Sequence, residues 1–261
     1  MYYARSAAEA QYPELWHGLV GAWCPAINPP GGTVLYDWGP YKNHGTLTNM
    51  ETTDWDSTLG NGAIALDGSN EYVAIANSTL GSLPGKFTLE AWINTSTVAL
   101  GARSIIGNAN SIGSSAQYAF EINRTAKRLS ILANGGNVGA TSSTDLEANK
   151  WYHVAVVKSG ASGAWTFSFY VNGSSHGGGS IAVDPDATQQ ISIGRPGGFN
   201  GQYFSGSIAQ VVIRQAVATQ SQMILATQLG PAGMFTPRRR RRSRFSEAIT
   251  NRRRRLLFAA S

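Results

Sequence analysis

One cysteine, Cys24, stands in 261 residues. A single thiol cannot close an intrachain disulfide, so the fold has to be held without one. No stretch approaches 18 consecutive apolar residues, which excludes an ordinary membrane-spanning helix. The opening MYYARSAAEAQYPELWHGLV lacks the basic stretch followed by an apolar run that marks a secretory leader, and the expectation is a chain folded in a cytoplasm. Charge is scarce too: 14% of residues are Asp, Glu, Lys or Arg, too few for long solvated helices. What is plentiful is glycine, with 30 residues, and aromatics, with seven Trp, ten Tyr and nine Phe, the supply of many short strands joined by tight turns.

The sparse charge is also badly shared. Ten of the 21 basic residues fall in the last 25 positions, where only Glu247 opposes them. The remaining 236 residues carry 11 basic against 14 acidic side chains, so the basic pI belongs to an appendage and not to the body.

From residue 15 onward the apolar pattern has a period of two, as half-buried strands require. In KFTLEAWINT, Phe87, Leu89, Ala91 and Ile93 share one face, and Thr88, Glu90, Trp92 and Asn94 the other. Ala116, Tyr118, Phe120 and Ile122 alternate likewise, and Leu129, Ile131 and Ala133 follow as the return strand of a hairpin. WYHVAVV is apolar at nearly every position, the mark of a central strand covered on both faces. Trp165, Phe167, Phe169 and Val171 alternate up to Asn172-Gly173, a strong hairpin turn pair. ATQSQMILATQLGP reads as one short helix, capped by Thr219 or Ser221 and stopped by Gly230-Pro231. PAGMFTP reads as a linker.

Eight motifs in order, GLVGAW, DWGPYKNHGTLTN, NGAIALDGSNEYVAI, FTLEAWINT, WYHVAVV, FYVNG, ISIGR and FSGSIAQVVIRQAVATQSQM, resemble laminin-G-like, concanavalin A-like jelly-roll domains over residues 15–229. The resemblance implies an all-β, two-sheet antiparallel jelly-roll sandwich with one short C-terminal helix. It divides the chain into an N-terminal arm (1–14), the sandwich (15–229), a linker (230–237) and an Arg-rich tail (238–261). The opening RSAAEAQYPELWHGLVGAWCP joined to an Arg-rich end further resembles versions of the domain in tailed bacteriophages and prophages. Trp23, Trp92 and Trp151 sit within strand patterns and are expected to fill the space between the sheets.

Glycosidases on such a fold place two carboxylates on one strand, about 5 Å apart for retaining chemistry. Here Glu90 and Glu121 stand alone on their strands, and Asp184 and Asp186 flank Pro185 in a loop. His17, His44, His153 and His176 lack zinc-site spacing, and His153 reads as a structural residue of its strand. No nucleophile elbow, phosphate-binding loop or dinucleotide fingerprint is present, so the expectation is that the chain is not an enzyme and needs no cofactor. Asp37 matches an early loop aspartate of the resembled family. It is the candidate ligand for a structural Ca²⁺ with backbone oxygens, against the alternative that it caps its own Asx-type turn. Phe199, Asn200 and Tyr203, in the loop RPGGFNGQYFSG, are the candidate glycan contacts.

The tail carries Arg238, Arg239, Arg240, Arg241, Arg242 and Arg244, then Arg252, Arg253, Arg254 and Arg255, interleaved with Phe245, Ile249, Leu256, Leu257 and Phe258. Arginine alone fits nucleic-acid phosphates or a solvated tail. The apolar residues add a reason for docking on protein, since each buried one contributes roughly 1.5–3 kcal/mol. The expectation is a non-enzymatic virion accessory protein that displays a lectin-like jelly roll and is tethered to other virion proteins by its tail. Homo-oligomerisation and contact with glycans fit that expectation, and no membrane partner is expected. A carbohydrate-binding module and a capsid jelly roll whose tail binds packaged nucleic acid are the alternatives.

Overall fold

A computed structural model describes residues 2–56, 62–76, 83, 85–97, 103–108, 118–123, 126–133, 137–181, 190–197 and 201–236. The strands, in chain order, are β1 (Leu19–Trp23), β2 (Val34–Leu35), β3 (Gly45–Thr48), β4 (Trp55–Asp56), β5 (Ala63–Asp67), β6 (Tyr72–Ile75), β7 (Phe87–Thr95) and β8 (Arg103–Gly107). They continue as β9 (Tyr118–Ile122), β10 (Leu129–Ala133), β11 (Asn137–Thr141), β12 (Trp151–Ala161), β13 (Ala164–Val171), β14 (Ser174–Ile181), β15 (Ile191–Ile193) and β16 (Ser205–Arg214). Helices α1 (Tyr2–Gln11) and α2 (Pro13–Trp16) precede them, and α3 (Gln220–Leu229) follows.

Among the described residues every strand pairing is antiparallel. The first sheet runs β14-β13-β12-β7-β16-β5-β4, with β1 also paired to β16, and the second runs β11-β10-β9-β8-β15-β6-β3-β2. This is the two-sheet antiparallel jelly-roll sandwich that the resemblance implies. Phe87, Leu89, Ala91 and Ile93 on β7 face the interior, as do Tyr118, Phe120 and Ile122 on β9 and Trp165, Phe167, Phe169 and Val171 on β13. Phe120 stacks on Phe169 across the two sheets with ring centroids 6.4 Å apart.

Register decides where the tryptophans lie. Trp23 is completely buried in the core between the sheets. Trp92 and Trp151 are not part of it: Trp92 pairs with His153 and Trp151 with Asn94, all on the outward face of the first sheet. Since Ala91 and Ile93 point inward, a strand period of two forces Trp92 outward, and an apolar neighbourhood in sequence does not reveal which side a ring takes. The inward place opposite Phe87 belongs instead to Lys158. Its ammonium lies 3.8 Å from the Trp165 ring centroid and 5.4 Å from that of Phe87, and the side chain is fully buried.

The outward face of the first sheet is covered from both ends of the chain. Thr219 caps α3 with its hydroxyl accepting from Gln222 N, and Gln222 returns a bond to the Thr219 amide. Met223 then packs on Ala155 and Ala218. From the N-terminal side, Ala8, Tyr12, Leu15, Trp16 and Leu19 form a second apolar cluster with Ala22, Val212 and Met234. The residues read as a linker make a short 3-10 turn, Gly233–Phe235, whose Met234 carbonyl accepts from Trp16 Nε1 at 3.3 Å.

Candidate functional site

Tyr203, a residue singled out from the sequence, lies half-buried against the outward face of the second sheet. Val73 and Ile75 on β6 point into the core, so Tyr72, in the opposite phase of the strand, points out. The rings of Tyr72 and Tyr203 sit 6.4 Å apart at 42°. The guanidinium of Arg195 lies over the Tyr72 ring, with Cζ 3.5 Å from its centroid. Arg195 is held there by Ser192, whose Oγ accepts from Nε at 3.4 Å and donates to the Gly197 carbonyl at 3.2 Å. The chain reaches this arrangement through Gly194, at φ +87° and so close to Leu66 that a Cβ would stand 2.6 Å from its Cδ1. Phe204, fully buried, anchors the far end of the loop with its amide on the Gly194 carbonyl at 2.8 Å.

Gln202 is the strained member of the group. It holds φ at +56°, a conformation that costs a non-glycine residue about 1 kcal/mol or more. Its carbonyl accepts from the Ser104 amide at 3.0 Å, while both polar atoms of its side chain are enclosed with no hydrogen-bond partner among the described residues. Beside this enclosed amide in sequence, the half-exposed Tyr203 and its partner Tyr72 offer ring surface on which a flat ligand ring can stack.

A second polar cluster sits on the opposite side of the sandwich, beneath α3. Glu90, His153 and Arg214 occupy outward positions on the adjacent strands β7, β12 and β16, and each is buried to within 3% of completely. Arg214 Nη1 contacts Glu90 Oε1, and Arg214 Nε donates to the Leu15 carbonyl at 2.9 Å, tying the N-terminal helices to the sheet. His153 Nε2 stands 3.4 Å from Glu90 Oε2. The Thr227 hydroxyl on α3 donates to the Met223 carbonyl at 2.8 Å and is hydrogen-bonded with His153 Nδ1 at 3.0 Å. Burial pulls the His153 pKa down to about 4 and that of Arg214 down to about 9, so at neutral pH the histidine is uncharged and the arginine is charged against Glu90. Trp92 packs on the His153 ring at 5.5 Å. A small cleft at this spot, lined by Trp92, Gln210, Leu229 and Met234, borders the cluster.

Asp37 is almost fully buried, and both of its oxygens are engaged. Oδ1 accepts from Ala22 N at 2.8 Å and Gly39 N at 2.7 Å, and Oδ2 accepts from Asn43 N at 2.9 Å. Burial raises its pKa, and the three amides oppose that rise. The Asp37 amide donates to His44 Nδ1 at 3.0 Å, completing a braced loop. This is the loop-capping geometry, and among the described residues no cluster of three or more His, Cys, Asp or Glu side chains is placed to hold a metal.

Phe199 and Asn200 lie outside the described residues, as do the tail residues Arg238 to Phe258. Tyr72, Arg195 and Gln202 were not anticipated from sequence. The alternation of EYVAI does place Tyr72 outward, but its meeting with Tyr203 depends on the β6–β15 pairing, which no local pattern announces.

A family model described as the concanavalin A-like lectin/glucanases superfamily matches residues 67–223. No curated protein matches the chain in sequence. Among solved structures, domain 4 of an extracellular arabinanase from Geobacillus stearothermophilus, in complex with arabinotriose, superposes with a TM-score of 0.60 at 16% identity, over 79% of this chain and 96% of that one. A Trypanosoma rangeli sialidase in complex with sialic acid gives 0.55 at 17% identity over 79% of this chain, which spans only 32% of the sialidase. Botulinum neurotoxin type C, whose cell entry depends on two ganglioside molecules, gives 0.56 at 12% identity over 83% of this chain and 52% of the toxin. These neighbours correct the expectation that the chain is not an enzyme: its fold is one found in parts of a sialidase and an arabinanase.

Proposed function

The chain belongs to the concanavalin A-like lectin/glucanase superfamily, and from that premise we propose that it is a glycan-binding jelly roll whose contact surface is the Tyr72–Tyr203–Arg195 group. The observation that carries this reading is the pair of tilted, half-exposed tyrosine rings 6.4 Å apart, one of them held in place by the Arg195 guanidinium on its face. Stacking on a sugar face supplies affinity, and the tyrosine hydroxyls supply directional bonds to the sugar's hydroxyl groups. That the arabinanase domain was solved with arabinotriose, and that the toxin depends on gangliosides, supports this choice of ligand class. A glycan array probed with the full chain tests it. Specific signals should appear, and Tyr203→Ala should weaken them roughly tenfold, the worth of one aromatic contact. An array without specific signals, or a Tyr203→Ala variant that binds as well as the parent, refutes the assignment.

A second reading concerns where that surface is displayed. The segregation of ten arginines into the last 25 residues favours attachment through the C-terminal segment, and the phage-like motifs favour a virion as the support. On this reading the tail pairs its guanidinium groups with carboxylates of another virion protein while Leu256, Leu257 and Phe258 bury themselves against it. A chain ending at Thr236 should then fail to join the particle. Retention of the shortened chain at the parental level refutes tail attachment.

A further inference from the structure

The outward face of the second sheet does not end at Tyr72. On β3 the residues Thr46 and Thr48 point outward while Gly45 and Leu47 point in, and Thr48 pairs with Tyr72. On the edge strand β2, Val34 pairs with Thr46 and Leu35 with Gly45, so Tyr36 follows at the position facing His44. The two rings meet edge to face at 5.0 Å, and Tyr36 is 40% exposed. Tyr36 is one end of a continuous stretch of sheet: β2, β3 and β6 are consecutive neighbours, and the outward residues between the two aromatic groups, Thr46, Thr48 and Ala74, all have short side chains.

The position of Tyr36 is fixed from below. Its amide donates to Asn28 Oδ1 at 2.7 Å, and Asn28 Nδ2 donates in turn to the Val34 carbonyl at 3.0 Å. His44 is fixed by the Asp37 amide on Nδ1, which leaves Nε2–H as a donor on the exposed side. From Tyr36 to Tyr72 the surface advances four residues along the strands and two strands across. That is about 13 Å in one direction and about 10 Å in the other, so the two aromatic groups stand roughly 16 Å apart.

Resting on the glycan-binding reading of the Tyr72–Tyr203–Arg195 group, we infer that this group and Tyr36–His44 are the two ends of one binding surface. Its ligand class is a linear oligosaccharide of three or more units lying diagonally over β6, β3 and β2. A monosaccharide or disaccharide reaches one group only. A longer chain stacks on both, with its hydroxyl groups over the Thr46 and Thr48 hydroxyls and its intervening rings over a floor too low to obstruct them. The second group then acts as a tethered site, raising affinity with length through effective concentration and not through any new contact at the first.

Calorimetric titration of the full chain with cello-, xylo-, manno- and arabino-oligosaccharides of one to six units tests the inference. For at least one series, affinity should climb between the disaccharide and the tetrasaccharide. Tyr36→Ala should cost the longer members about tenfold and leave the disaccharide unchanged, Tyr36→Phe should retain the gain, and Tyr203→Ala should weaken every length. Near-ultraviolet circular dichroism and Tm identify any variant whose loss is one of folding, and Tyr36→Phe keeps the comparison informative if Tyr36→Ala is such a case. Affinity that is flat with length, or insensitive to Tyr36→Ala while Tyr203→Ala still harms it, overturns the extended surface and leaves the glycan-binding reading standing. Absence of binding to every probe by the parent chain overturns both.

Discussion

Acid should unfold this protein earlier than its surface composition suggests, and His153 is the reason. In the unfolded chain its imidazole titrates near 6.5, whereas burial under α3 brings the folded value to about 4. Between those limits the unfolded state binds a proton that the folded state refuses. The stability involved is complete above pH 6.5 and is lost progressively as pH falls to about 4. A tenfold difference in proton affinity between the two states is worth about 1.4 kcal/mol, so the whole loss is about 3 kcal/mol, a large part of a domain's usual margin. Urea unfolding of the parent and of His153→Gln at pH 7.5, 5.5 and 4 isolates the effect, because carboxylate titration is common to both and cancels in the difference. Glutamine keeps a donor toward Thr227 and cannot titrate. The parent midpoint should fall by about 1 M urea or more relative to the variant across this range. Parallel curves would show that His153 is hydrated when folded. A parent that gains stability in acid would show that attraction to Glu90, 3.4 Å away, outweighs burial.

Two further outcomes bear on other parts of the structure. Arg214→Met should destabilise by about 3–5 kcal/mol in thermal or urea melts, because Glu90 is left as an uncompensated buried charge; adding Glu90→Gln should restore much of that loss, and a double variant no better than the single one contradicts the pairing. Asp37→Ala removes the acceptor of three backbone amides and should cost about 3 kcal/mol, while EDTA should leave the Tm of the parent unchanged; a fall in Tm on chelation would instead place an ion at this loop.

How far the sequence reached can be judged from particular strands. The alternation in β7 and β13 was legible, because one side of each strand faces a dry core and the other does not, and the structure returns the same inward residues. The ends of α3 were legible for local reasons as well, since a cap and a stop are set by a few neighbouring residues. Glu90 looked isolated because its partners lie 63 and 124 positions away on neighbouring strands, joined only by register. The signal lay in the outward phase of Glu90, His153 and Arg214, three polar residues on strands otherwise covered on both sides. The same limit hid Tyr72 and Arg195 while Tyr203 stood out: aromatic residues in a loop are visible singly, but their assembly is a property of sheet order.

The packing of Trp16 against Met234 and Phe235 has a consequence for display. It seats the beginning of the chain and residue Thr236 together behind the first sheet, whereas Tyr36, Tyr72 and Tyr203 look out from behind the second. Under the proposal that the segment after Thr236 is the point of attachment, that segment starts on the side of the sandwich opposite the tyrosines. A few apolar side chains thus fix the side of the sandwich from which the chain departs at Thr236.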